Sequence, residues 1–179
     1  MPKTSITIYE HDRGKASELY AMEAADRFCA LFSLTPPAGI VRDPGGKPFF
    51  DGGNLFLSIS HSAPYIAVAI SEVQVGIDIQ RHKKCDQVSV ARRFFHPDER
   101  DFVARNPGCF FDVWAAKESY VKYTGEGIIS AFRSFSVVDG EELSDSVGAV
   151  VLSQLSFRSG YSLSLAAKNS TIIALSEEF

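Results

Sequence analysis

The chain has 179 residues with 22 acidic against 18 basic side chains, a net charge of −4 and a pI near 5.6, a balance that argues against a general nucleic-acid binder. Hydrophobic residues make up 45% and charged ones 22%, which suffices for one compact core or two small halves without metal or disulfide, and excludes a disordered chain. Cys29, Cys85 and Cys109 are odd in number and form no CxxC pair, no run approaches the ~20 apolar residues of a membrane span, and no targeting segment is legible, so a soluble cytoplasmic protein is expected.

Thr4 to Tyr9 reads as a short first strand, and Lys15 to Leu34 as a long helix with Leu19, Met22, Phe28, Leu31 and Phe32 at helical intervals. Pro36-Pro37 and the run Arg42 to Pro48 cannot continue that helix, so an extended connection follows, carrying the cations Arg42 and Lys47. Leu55–Ser60, Tyr65–Ser71 and Val75–Ile79 then read as three successive strands of an antiparallel meander. Arg81 to Asp86 is a polar, basic break, and Val88–Phe95 and Pro97–Val103 suggest two short helical pieces.

Phe110 to Gly127 is the segment around which the chain is organised. Phe110, Val113, Ala116 and Tyr120 line one side of a predicted helix, and Thr124-Gly125 supplies its stop. On another line of the same helix Trp114, Glu118 and Lys122 stand four residues apart. Glu before Lys at that spacing is the favoured exposed pair, contributing about 0.3–0.5 kcal/mol and nothing more; the alternative is a functional stripe. After it, Ser134–Asp139, Val147–Phe157, Tyr161–Ala167 and Thr171–Leu175 read as strands of a second meander, with turns at Ser159-Gly160 and Lys168-Asn169-Ser170.

An offset of 96 residues carries Tyr65–Gln80 onto Tyr161–Ser176 and Ala16–Ser33 onto Asp112–Ile129, helix on helix and hairpin on hairpin. The expected fold is therefore α+β, a pseudo-twofold pair of similar halves, each a long helix packed on a small antiparallel sheet. The halves are residues 1–80 and 110–179, joined by 81–109, with a site in the cleft between them.

Within the strand VGIDIQ, Gly76 removes a side chain, which marks close approach of another backbone or a ligand. Asp78 either faces water or is a buried carboxylate that requires a cation or donors. His61, in Ser60-His61-Ser62, is either a turn histidine held by backbone groups or a site residue.

Taken jointly, VGIDIQ at 75–80, WAAKESYVK at 114–122, Gly125-Glu126-Gly127, and the upstream Gly46-Lys47-Pro48 and Ser60-His61-Ser62 stand in the order of a known family pattern. The chain resembles the 4′-phosphopantetheinyl transferases of the surfactin-synthetase-activating type from about Gly46 to Phe135. The resemblance implies two similar halves with the active site between them. It also implies transfer of the phosphopantetheine arm of coenzyme A to a serine of an apo acyl or peptidyl carrier protein, by a monomer that binds neither nucleic acid nor membrane.

By the same resemblance Asp78 and Glu118 would hold Mg²⁺, with Gln80 contributing directly or through a water. Lys122 would reach a phosphate oxygen. Glu118 would accept the serine proton, with Glu99, in RRFFHPDE, as the weaker alternative. Lys47, Ser60 and His61 would recognise the nucleotide end. One departure stands out: Gln80 occupies a position where the family pattern usually has an acidic ligand, so weaker metal affinity or tolerance of Mn²⁺ is expected, and a non-catalytic module that binds coenzyme A or a nucleotide is the competing reading.

Overall fold

The computed structural model describes the chain apart from residues 13, 53, 127–130, 170 and 179. Gly127, Ile129 and Ser170 of the readings above therefore lie outside the described residues. The chain begins with β1 (Lys3–Glu10) and α1 (Ser17–Phe32), then a hairpin of β2 (Ile40–Arg42) and β3 (Pro48–Phe50). β4 (Phe56–Ser62), β5 (Tyr65–Ser71) and β6 (Val75–Arg81) follow, then α2 (Gln87–Phe94), α3 (Pro97–Arg105), a 3₁₀ turn at Pro107–Cys109 and α4 (Phe110–Thr124). A short hairpin of β7 (Val138–Asp139) and β8 (Glu142–Leu143), and then β9 (Ser146–Val147), β10 (Val150–Leu155), β11 (Tyr161–Ala167) and β12 (Thr171–Glu178), complete it.

The fold is α+β, built from two four-stranded sheets of order β12-β1-β5-β4 and β6-β11-β10-β9. Ile6, Ile8, Tyr65, Ala67 and Ala69 of the first sheet pack against Val75, Ile77, Ile79, Leu163 and Leu165 of the second. On its other face the first sheet meets α1 through Tyr20, Ala24 and Phe28, so β5, covered on both sides, is buried at all seven positions. On the second sheet α4 packs against β6, β11 and β10, and Phe110, Val113, Ala116 and Val121 join the cluster beneath it.

Neither meander forms as the sequence suggests. β4 and β5 pair, but β6 crosses to the second sheet and pairs antiparallel with β11, Asp78 opposite Ser164 and Gln80 opposite Ser162. Its other edge is taken by hydroxyls: the backbone N–H groups of Ile77, Ile79 and Arg81 donate to Ser58 (3.0 Å), Ser60 (3.2 Å) and Ser62 (2.7 Å) of β4. In the same way β12 leaves β11 and runs parallel to β1, so the first sheet is not wholly antiparallel. The short connectors that imitate hairpin turns carry the chain between facing sheets, where β6 buries Val75, Ile77 and Ile79 in the shared core. Of the predicted strand Ser134–Asp139 only Val138–Asp139 is extended.

Candidate functional site

α4 starts one residue after the Pro107–Cys109 turn and stops where Gly125 adopts φ 78°, its N–H returning to the carbonyl of Val121. It lies hard on β6. A Cβ placed on Gly76 would stand 2.0 Å from the carbonyl oxygen of Ser119 and 2.5 Å from the nitrogen of Tyr123, so only glycine lets the helix backbone reach the strand there. This close contact brings Asp78, two residues further along the same face of β6, within reach of Lys122.

Asp78 is a buried carboxylate, 2% exposed. Its Oδ1 accepts from Lys122 Nζ (2.7 Å) and from Ser60 Oγ (2.7 Å), and its Oδ2 accepts from Gln80 Nε2 (3.1 Å). Lys122 also donates to the carbonyl of Ile77 at 3.1 Å. The ion pair of Lys122 is therefore with β6, and the surface pairing with Glu118 that their spacing allows does not form.

Glu118 is 6% exposed and accepts no hydrogen bond from the described residues. Burial, reinforced by the negative charge of Asp78 and only partly offset by Lys122, pushes its carboxyl up to about 7. A buried carboxylate without donors beside a second carboxylate is held at a cost unless a cation joins it. The remaining stripe member, Trp114, packs with Phe94, Phe95, Phe110 and Phe132 and belongs to the core.

Lys122 also lines a cavity of about 360 Å³ together with Gly46, Lys47, Ser58, Ile59 and Gly125. Lys47 Nζ donates to the backbone carbonyl of Lys122 at 2.6 Å, and its half-buried position lowers the affinity of its amine for a proton. His61 is exposed, with its ring 5.8 Å from that of His11. Partial desolvation, then His11 and Lys122, hold its imidazole below the ordinary range. Ser60 is committed to Asp78 and to the Ile79 N–H, so it positions the carboxylate. Gln80 faces Asp78 as well.

Glu99 stands elsewhere. It is fully buried, accepts from Lys117 Nζ (2.7 Å), the Val137 N–H (2.8 Å) and the His96 N–H (2.9 Å), and completes the capping box of α3. With each oxygen engaged it joins α3, α4 and the approach to β7, and is a structural group. Sequence reasoning missed this lock, although HPDE is a legible helix start. It missed His11 too, and it read Ser60 as a contact to the nucleotide rather than as part of a ladder to β6, for which the alternation of serines at 58, 60 and 62 was the available signal. Asp112, in the first turn of α4, accepts from Ser162 Oγ at 2.5 Å, and Ser162 also meets His82 Nε2 at 2.8 Å.

The arrangement suits a small, hard divalent cation. Two carboxylates and an amide oxygen are the right donors for Mg²⁺, which typically takes one or two protein carboxylates and completes its six oxygens from water and substrate phosphate. Among the described residues no three His, Cys, Asp or Glu side chains gather into a group that could hold a metal ion by itself.

The family model of the 4′-phosphopantetheinyl transferase superfamily matches residues 74–175, more than half of the chain. The chain is similar to 4′-phosphopantetheinyl transferase gsp of Aneurinibacillus migulanus, 40% identical over 95 residues covering 50% of this chain and 39% of that protein. It is 31% identical over 134 residues to 4′-phosphopantetheinyl transferase Sfp of Bacillus subtilis (strain 168), covering 68% and 59%. To 4′-phosphopantetheinyl transferase HetI of Nostoc sp. it is 37% identical over 154 residues, covering 69% and 62%. The matched stretches thus span between about two fifths and three fifths of these relatives' own length. Since the matched segment includes β6 and α4 with Asp78, Gln80, Glu118 and Lys122, the chain belongs to the 4′-phosphopantetheinyl transferase superfamily.

Proposed function

We propose that the protein transfers the 4′-phosphopantetheine arm of coenzyme A to a serine hydroxyl of an apo acyl or peptidyl carrier protein, releasing adenosine 3′,5′-bisphosphate. The observation that carries this reading is the pair of buried carboxylates, Asp78 on β6 and Glu118 on α4, close enough for the charge of Asp78 to raise the Glu118 carboxyl, with Lys122 paired to Asp78 and lining the cavity. Asp78, Glu118 and Gln80 are the groups that would hold Mg²⁺, with Mn²⁺ tolerated because an amide replaces a carboxylate. Bound there, the metal supplies Lewis-acid stabilisation of the pyrophosphate.

The remaining work falls to the chain. Lys122 and Lys47 line the cavity and neutralise phosphate oxygens, and His61 with His11 stands ready to meet further negative charge of the nucleotide. Glu118, with its carboxyl near 7, is suited to take the serine proton at neutral pH. Ser60 holds Asp78 in position.

In this reading residues 1–80 and 110–179 are pseudo-twofold halves with 81–109 between them. β6, which ends the first half, pairs with β11, and β12, which ends the second, pairs with β1, so the halves exchange strands around the site. The protein acts as a monomer in the cytoplasm. Its docking face for the carrier is residues 81–93, where Arg81, Lys83, Lys84, Arg92 and Arg93 are exposed and none has a carboxylate partner among the described residues. That segment leaves the strand of Asp78 and Gln80 directly, so its charge steers an acidic partner toward the site.

The test is incubation with coenzyme A, Mg²⁺ and a panel of apo carrier proteins, read by intact mass. Gain of one phosphopantetheine arm is expected. Coenzyme A binding without transfer to any carrier would instead favour a non-catalytic binding module.

A further inference from the structure

Resting on the transferase reading, we infer that Lys122 is a resident counter-ion of Asp78 that has to be exchanged, so that the site binds a divalent cation tightly only together with a diphosphate. Both oxygens of Asp78 are already engaged, Oδ1 by Lys122 (2.7 Å) and Ser60 (2.7 Å), Oδ2 by Gln80 (3.1 Å). A metal that bound Asp78 with Lys122 in place would sit beside an ammonium group in a poorly solvated setting. Like charges repel strongly there. Lys122 must therefore turn away, and leaving Asp78 for water alone gives up a buried ion pair.

The structure supplies a destination. The Lys122 side chain is 26% exposed and lines the cavity, so its ammonium reaches from the carboxylate to whatever anion the cavity holds. Its backbone does not need to move. Lys47 holds the Lys122 carbonyl at 2.6 Å, and Gly76 seats the neighbouring turn of α4 on β6. A phosphate in the cavity takes the ammonium and frees Asp78 Oδ1, and it brings the oxygens that two carboxylates and an amide lack. Metal and diphosphate then strengthen each other's binding by the same factor, as linkage requires.

Mg²⁺ binding measured by calorimetry on the full chain, alone and with saturating coenzyme A, tests this. Pantetheine, which lacks the diphosphate, is the control. Wild-type protein is expected to bind Mg²⁺ about tenfold or more tightly with coenzyme A, and to show no gain with pantetheine. Lys122→Met, which deletes the resident cation, is expected to bind Mg²⁺ alone several-fold more tightly than wild type, and to lose most of the coupling. Its metal-free melting temperature falls because Asp78 is left unpaired, and Mg²⁺ alone restores it. Lys122→Gln reports the same changes should the methionine variant not fold.

The exchange is overturned if these variants bind Mg²⁺ alone no better than wild type, or if wild type binds the metal equally with and without coenzyme A. A wild type that transfers the arm while giving either result sinks the exchange and leaves the transferase reading standing. Failure to bind coenzyme A at all overturns both.

Discussion

Lys117 and Glu118 are consecutive on α4, and each is the centre of a buried polar cluster, yet the clusters are opposites. On one side Lys117 and Glu99 are both fully buried, and Glu99 accepts from an ammonium and two backbone N–H groups. Lys117 also donates to the Phe135 carbonyl at 2.8 Å and lies 3.9 Å from the centre of the Phe135 ring. Burial pushes the Glu99 carboxyl up and the Lys117 amine down, and the ion pair and its hydrogen bonds oppose both shifts. On the other side Glu118 has no donor among the described residues, while Asp78 shares a cation that also faces a cavity. Burial alone therefore does not separate a structural carboxylate from a functional one. Saturation does: a filled set of partners joins elements, and an unfilled set leaves room for a ligand.

The largest effects are expected from the unfilled cluster. Asp78→Ala and Glu118→Ala should each abolish transfer, measured by intact mass of the carrier, while circular dichroism reports a folded chain. Glu118→Gln should do the same and also stabilise the metal-free protein. The folded chain binds this proton more tightly than the unfolded one, because the carboxyl is raised from 4.5 to about 7. Stability is thus fullest below 4.5 and is lost as pH rises through about 7. At pH 8 the ionised group costs up to about 3 kcal/mol, which the amide does not incur. Denaturation of both proteins at pH 5 and pH 8 checks the sign, since the gain should be confined to the higher pH.

Breaking the filled cluster is expected to act on stability first. Glu99→Ala or Lys117→Ala leaves a buried charge alone and should cost about 3–5 kcal/mol, read from urea midpoints. Replacing both, Glu99→Leu with Lys117→Met, should recover much of that loss. If Glu99→Ala instead kept full stability and lost only turnover, the contrast between the clusters would be wrong.

Smaller changes sharpen the picture at its edges. Gln80→Glu should tighten Mg²⁺ binding in the presence of coenzyme A, by calorimetry, whether or not turnover rises. An unchanged affinity would mean that Gln80 serves Asp78 alone. The mildest effect is expected away from α4: Arg92→Glu with Arg93→Glu should raise the KM for carrier protein, leave that for coenzyme A nearly unchanged and flatten the salt dependence of kcat/KM. A wild-type salt slope would remove that segment from the docking face.

Much of this was legible beforehand, because local signals were strong. Gly76 within an apolar strand pointed to close backbone approach, and the Ser119 carbonyl fills the space its side chain would need. Asp78 left a choice between water and donors, and the donors are there. Helix spacing, by contrast, tied Glu118 to Lys122, although a lysine four carbons long finds its partner across a tertiary contact just as well. Sheet membership was hidden for a similar reason. A three-residue connector such as Glu72–Gln74 carries the chain to a facing sheet as readily as to a neighbouring strand, and the hydroxyl ladder of β4 that satisfies β6 leaves no periodic apolar mark.

The parallel pairing of β1 with β12 joins Lys3 to Thr171 and Tyr9 to Glu178. During synthesis β1 therefore leaves the ribosome with its outer edge unpaired, and it stays so until nearly the whole of this sequence has followed. The first sheet is closed through contacts between segments far apart in sequence, and such contacts are the slow ones because loop closure precedes their reward. In kinetic terms the site between β6 and α4, about forty residues apart in sequence, is able to assemble well before the sheet that backs it is closed.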